Sequence, residues 1–173
     1  MPTPAEAKHR LFFALWPDDA VRKQLAVLSR QVCDRPVPAA KLHLTLLFLG
    51  RVDSTARLCF SRAAGKVKIA PFSFLLDHYG GWARKRIQWL GPSAPPAALG
   101  ELADALLSAA ADCGFNVEKR HFVPHVTLSR KAKKPVEGAL PTSILWCASD
   151  FVLAESVSSP DGVRYVVRER WAL

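Results

Sequence analysis

The chain lacks any run approaching the roughly 18 uncharged apolar residues that a membrane-crossing helix needs, although half of its 173 residues are apolar. Its opening, "MPTPAEAKHRLFFALW", has no long apolar core of the kind that directs secretion, so a cytoplasmic home is expected. Cysteine is scarce. Cys33, Cys59, Cys113 and Cys147 are far apart, form no CxxC or other zinc-like spacing, and lie in apolar neighbourhoods. They read as reduced core residues. There is no glycine-rich Walker loop for a nucleoside triphosphate, no GxSxG, and no cysteine beside a histidine, which leaves no serine or cysteine nucleophile with a recognisable setting.

Acidic residues are also few: 15 against 24 Lys and Arg, a net charge of +9 and a pI near 9.8. That balance favours polyanions through long-range attraction and counterion release. The basic residues cluster in "ARKRIQW" (Arg84, Lys85, Arg86), "EKRHF" (Lys119, Arg120), "SRKAKK" (Arg130, Lys131, Lys133, Lys134) and "VRYVVRER" (Arg164, Arg168, Arg170). Chain length fits one domain over residues 1–173, with no linker dividing it.

Periodicity places the elements. "RLFFALW" is strand-like, and Pro17 ends it and presets the first turn of a helix whose Val21, Leu25, Leu28 and Val32 make one apolar stripe. "KLHLTLLFLG" alternates with period 2, which sets Leu42, Leu44, Leu46 and Phe48 opposite His43 and Thr45 until Gly50 ends the strand. Asp53 or Ser54 caps a helix running to Gly65, and strands "FSFLLDHY" and "KRIQWLG" flank Gly80 and Gly81. "PPAALGELADALLSAAADCG" is an amphipathic helix stopped by Gly114. A strand carrying His125 and Thr127 follows, then a basic loop, "SRKAKKPVEGALPTS", expected to be the most mobile segment. "ILWCASDFVLAES" and "VRYVVRERWAL" read as a hairpin turning at "PDG".

Strand, helix and HxT strand thus occur once per half. His43 and His125 stand 82 positions apart, and five histidines and five threonines in random order would yield well under one HxT pair. The half-chain recurrence suggests two similar lobes facing one another. Two histidines and two hydroxyls suit phosphoryl transfer: imidazole, with an ordinary pKa near 6.5, can accept a proton on one side of phosphorus and donate one on the other. Threonine hydroxyls can hold the non-bridging oxygens as charge shifts onto them. Zinc is the competing reading, but no third and fourth ligands have suitable spacing, and His121 is separated from His125 by Pro124. His9 and His78 lie outside the pattern and read as surface or structural residues.

At these residues the sequence resembles the 2H phosphoesterases, named for two HxTx motifs, and most of all the bacterial RNA 2′,3′-cyclic phosphodiesterases also known as 2′,5′ RNA ligases. "RLFFALWP", "LHLTLLFLG", "RIQWLG", "FVPHVTLSR" and "GVRYVVRERWAL" carry the likeness over nearly the whole chain. The resemblance implies a bilobal α+β fold, two pseudo-symmetric antiparallel-rich sheets with outer helices around a central cleft. It implies His43 as proton donor, His125 as proton acceptor, and Thr45, Thr127 and Arg130 as phosphate-binding residues. Arg86 and Trp89 match a recurring strand near the cleft and are candidates for RNA or nucleotide contact. The expected activity is metal-independent hydrolysis of a terminal 2′,3′-cyclic phosphate to a 2′-phosphate, with reversible 2′,5′ ligation following in principle. A non-catalytic protein that captures terminal RNA or nucleotide phosphates is the alternative. Expected partners are RNA ending in 2′,3′-cyclic phosphate, including tRNA fragments, or nucleotides; no cofactor, metal or membrane is expected, and the chain is read as a monomer.

Overall fold

The computed structural model describes residues 7–116 and 121–173; the basic pair Lys119 and Arg120 lies outside the described residues. Three helices and eight strands follow in the order β1 (His9–Leu15), α1 (Asp19–Val32), β2 (Leu44–Val52), α2 (Ser54–Ala64), β3 (Phe72–Trp82), β4 (Ile87–Gly91), α3 (Ala97–Asp112), β5 (Val126–Ser129), β6 (Gly138–Ala148), β7 (Asp150–Ser159) and β8 (Gly162–Ala172). The expected α+β class is present, but the expected two sheets are one. All eight strands join in the order β6-β3-β4-β5-β2-β1-β7-β8, with every pairing antiparallel.

The join explains the difference. Two four-stranded halves meet only where Leu44 of β2 pairs with Val126 of β5. That single bridge merges two half-sheets that local patterning could count but not connect. Cα-level packing crosses the join as well: α1, which precedes β2, packs against β5 and β6, while α3, which precedes β5, packs against β2. α1 and α3 therefore each lie under the opposite half, helping to close one core that contains Leu25 of α1, Phe60 of α2, Leu102 of α3 and the inward residues of both half-sheets. Burying each such side chain contributes roughly 1.5–3 kcal/mol.

Local chemistry sets the helix ends. Asp18, one residue beyond the expected Pro17 start, caps α1 by accepting the Val21 N–H at 2.8 Å, and Asp53 caps α2 by accepting that of Ala56 at 2.8 Å; such caps contribute about 1 kcal/mol each.

Several strand expectations need correction. β2 does not end at Gly50 but runs to Val52, and its pairing with β1 slips between Phe13 and Ala14 and again between Leu11 and Phe12. Gly50, at φ 75°, takes the conformation that the second irregularity requires. The first slip moves Phe48 onto the face of Thr45, because Thr45 pairs with Ala14 and Phe48 with Phe12. Phe48 is accordingly 49% exposed. β3 passes through Gly80 and Gly81 rather than stopping before them; a Cβ on Gly80 would come within 2.1 Å of the Trp89 ring. "ILWCASDFVLAES" is two strands, the ends of β6 and β7 parted at Ser149, and only β7 forms the hairpin with β8.

Two further expectations fail. Cys59 and Cys113 are joined as a disulfide between α2 and the end of α3, and Cys147 is exposed, so only half-buried Cys33 remains near the expected setting. Sequence separation of 54 residues hid the pair. The basic loop is tied down: the Gln88 side chain, 1% exposed, donates to Val136 O at 2.9 Å and accepts from Val136 N–H at 2.5 Å. Ala132 N–H donates to Arg86 O at 2.9 Å, and residues from Gly138 onward belong to β6. Among the described residues, no helix is long and apolar enough to cross a membrane.

Candidate active site

The bridge between the half-sheets is also the centre of the site. Leu44 and Val126 are the middle residues of HLT and HVT, so the motifs meet antiparallel at their centres. Continuing that register by one residue each way sets His43 across from Thr127 and Thr45 across from His125. Leu44 and Val126 themselves are fully buried on the helix side. Alternation then directs both polar pairs to the other face, which answers why polar residues interrupt apolar strands.

Each histidine is held in the same way. The Nδ1–H of His43 donates to Lys41 O at 2.7 Å, and that of His125 to Val123 O at 2.7 Å. A carbonyl only accepts, so Nδ1 carries the proton in both rings and Nε2 is the nitrogen left to titrate. His43 Nε2 lies 3.0 Å from Thr45 Oγ1. In the neutral ring Nε2 accepts from that hydroxyl.

Burial pushes the His43 pKa down to about 4, assisted by the nearby charges of Arg130, His125 and Arg22 and opposed by the Lys41 carbonyl. Burial likewise lowers that of His125, with Arg130 adding to the effect and the Val123 carbonyl opposing it. At neutral pH the two imidazoles are therefore neutral among cations. A bound anion would reverse this balance and protonate one of them.

Aromatic rings fix the imidazoles in place. His43 stacks on Trp16 with centroids 5.6 Å apart, and meets Phe12 at 4.9 Å and the edge of Tyr165 at 5.2 Å. His125 stands edge-on to Trp82 at 4.7 Å and tilted to Trp89 at 6.1 Å. A cleft of about 790 Å³ opens on the His43 side, lined by His43, Thr45, Thr127, Arg130, Phe48 and Tyr165 among others. Five cations, Arg10, Arg35, Lys41, Arg130 and Lys131, line it, and among the described residues no carboxylate does. Elsewhere the charge is partly consumed by structure: Arg168 pairs with Glu155 at 2.6 Å, Arg170 with Asp150 at 2.7 Å, and His9 with Glu155 at 2.9 Å. Among the described residues no cluster of three or more His, Cys, Asp or Glu could hold a metal ion.

A family model described as the 2′-5′ RNA ligase superfamily matches residues 17–151. The chain belongs to the 2′-5′ RNA ligase superfamily. Among its relatives, the RNA 2′,3′-cyclic phosphodiesterase of Escherichia coli strain K12 is 38% identical over 170 residues, covering 95% of this chain and 96% of that one. The enzyme of the same name from Thermotoga maritima is 29% identical, covering 91% and 92%. The crystal structure of E. coli LigT complexed with 3′-AMP superposes with a TM-score of 0.89 at 35% identity, over 96% of this chain and 99% of that one. LigT complexed with phosphate gives 0.82 at 34%, over 97% and 98%.

Within this superfamily member, the sequence-predicted residues separate into two groups. His43, Thr45, Thr127 and Arg130 share the cleft wall, and His125 stands beside it through the strand bridge. Trp89 packs against His125, its indole N–H buried without an acceptor among the described residues. Arg86 is exposed at the turn between β3 and β4, with φ 54°, outside that wall. Sequence reasoning missed Phe12, Trp16, Tyr165 and Trp82 as neighbours of the histidines. A period-2 stripe of Phe12, Ala14 and Trp16 was legible as one face of β1, but nothing local tied it to His43.

Proposed function

We propose that this chain is an RNA 2′,3′-cyclic phosphodiesterase that opens the terminal ring to a 2′-phosphate without a metal. His125 takes a proton from water as the water oxygen bonds to phosphorus, and His43 delivers a proton to the 3′ oxygen as its bond to phosphorus breaks. The observation that carries the reading is the antiparallel meeting of the two HxT motifs at Leu44 and Val126, which supports His43, Thr45, His125 and Thr127 acting from one face of the joined sheet. Thr45, Thr127 and Arg130 hold the non-bridging oxygens.

The cleft supports the division of labour. The departing 3′ oxygen stays attached to the ribose, so the nucleoside must lie on the side of the acid, and the cavity of about 790 Å³ lies beside His43. Because His43 is neutral at neutral pH, the substrate's own charge, set against Arg130, raises its pKa and loads the acid. The same groups used in the opposite sense let a 5′-hydroxyl attack the ring and form a 2′,5′ linkage. RNA, rather than a free nucleotide, is the substrate that best uses five cations along one cleft, and exposed Arg86 and the Trp82–Trp89 side are places for its chain to continue. A cytoplasmic location belongs to the same proposal.

The deciding assay incubates purified protein, with and without a chelator, with an oligonucleotide ending in 2′,3′-cyclic phosphate and resolves the product end group. A 2′-phosphate product, unaffected by chelation, is expected. Binding without turnover would replace the enzyme reading with phosphate capture, and zinc- or manganese-restored turnover would remove the two-histidine mechanism.

A further inference from the structure

We infer that Arg22 of α1 is a positioning residue for His43, holding both the backbone segment whose Lys41 carbonyl orients the imidazole and the indole on which it stacks. Its guanidinium donates through Nη1 to Ala39 O at 2.5 Å and Leu42 O at 3.2 Å, and through Nη2 to Pro17 O at 3.4 Å. Those first two carbonyls bracket Lys41, whose own carbonyl receives the His43 Nδ1–H. The guanidinium carbon also lies 5.4 Å from the Trp16 ring centroid, and Trp16 stacks on His43 with an interplanar angle of 17°. One side chain therefore braces two of the supports of His43, the segment of the Lys41 carbonyl and the Trp16 indole, while Thr45, Phe12 and Tyr165 supply the others. Arg22 is absent from the cleft wall.

An ordinary structural arginine would serve a carboxylate. Among the described residues Arg22 has none within salt-bridge distance, the neighbouring Asp19 acting only through its field. A half-buried cation satisfied by three carbonyls and a ring is suited to carrying its charge toward His43, and guanidinium geometry permits the three directions at once. Other titratable side chains facing His43 are His125 and Arg130 from the β5 segment and Tyr165 from β8. Arg10, Arg35, Lys41 and Lys131 line the wider cleft. Arg22, unlike these cleft-lining cations, is absent from the cavity wall, so its influence persists when substrate neutralises the others.

This inference rests on His43 being the acid, and its test keeps the two separable. In the full chain, kcat, KM and the NMR titration of both histidines are compared for wild type, Arg22→Met and Arg22→Lys. Arg22→Met should lower kcat about tenfold or more with KM changed by less than about twofold. Its His43 titration midpoint should rise by about half a unit or more, while that of His125 stays in place. Arg22→Lys, which keeps the charge and fewer carbonyl bonds, should return the midpoint toward wild type and recover part of kcat. A lower melting temperature with kcat and both titrations unchanged would make Arg22 a mere anchor and overturn the inference. If Arg22→Met does not fold, Arg22→Lys decides: kcat falling more than KM rises supports it, and unchanged kcat overturns it. Wild-type protein without turnover would end the catalytic reading while leaving the Arg22–His43 titration linkage measurable.

Discussion

The half-site around His43 and the half-site around His125 use the same device with different surroundings. Both rings donate Nδ1–H to the carbonyl two residues earlier, at 2.7 Å. His43, however, has a threonine on Nε2, a stacked indole and a cavity, whereas His125 stands edge-on against one of two tryptophans. Its pKa falls to about 4, and that of His125 is lowered by the same main cause. The difference teaches that the repeated motif delivers two equivalent nitrogens, and that side chains from β1, β3, β4 and β8 make them unequal.

The largest expected effect breaks both half-sites in turn. His43→Ala and His125→Ala should each lower turnover of a cyclic phosphate end by on the order of 10² or more, with little change in RNA affinity. On a phosphodiester with a nitrophenolate leaving group, which barely needs protonation, His43→Ala should regain much of its rate and His125→Ala should not. Recovery by His125→Ala alone would reverse the roles.

Next comes the unequal burial. His43 titrates near 6.5 when unfolded and at about 4 in the native chain. Between those values the unfolded state binds more protons, so native stability is full above about pH 6.5 and falls as pH drops toward 4. The loss at His43 is on the order of 3 kcal/mol. Denaturant titrations from pH 7 to 4 should therefore show a shallower decline in His43→Gln than in wild type, with a smaller relief in His125→Gln. Equal slopes in all three would contradict the comparison.

A smaller effect concerns what joins the second half-site to its basic loop. Gln88→Leu leaves the Val136 N–H and C=O without their shared partner. It should cost about 1–3 kcal/mol in stability by chemical denaturation and raise KM without a matching fall in kcat, because the loop begins at Arg130. Smallest of all, Arg130→Ala should weaken RNA binding and reduce the slope of log affinity against log salt by about one. An unchanged slope would remove Arg130 from the phosphate site.

Local chemistry determined much of this protein. Period-2 alternation put His43 with Thr45 and His125 with Thr127 on shared faces, and apolar stripes, with acidic caps on α1 and α2 and trailing glycines on α2 and α3, set the three helices within a few residues. Those features depend on neighbours one to four positions away, and such neighbours are printed side by side. Tertiary structure decided the rest. A single Leu44–Val126 bridge turned two half-sheets into one, a slip beside β1 carried Phe48 to the cleft, and Cys59 found Cys113 across 54 residues. Gln88 reaching Val136, and Trp16 and Tyr165 enclosing His43, likewise join segments that share no periodicity. Pairing register and side-chain packing between distant strands are set by the whole core at once, and no window of sequence contains the partner that completes them.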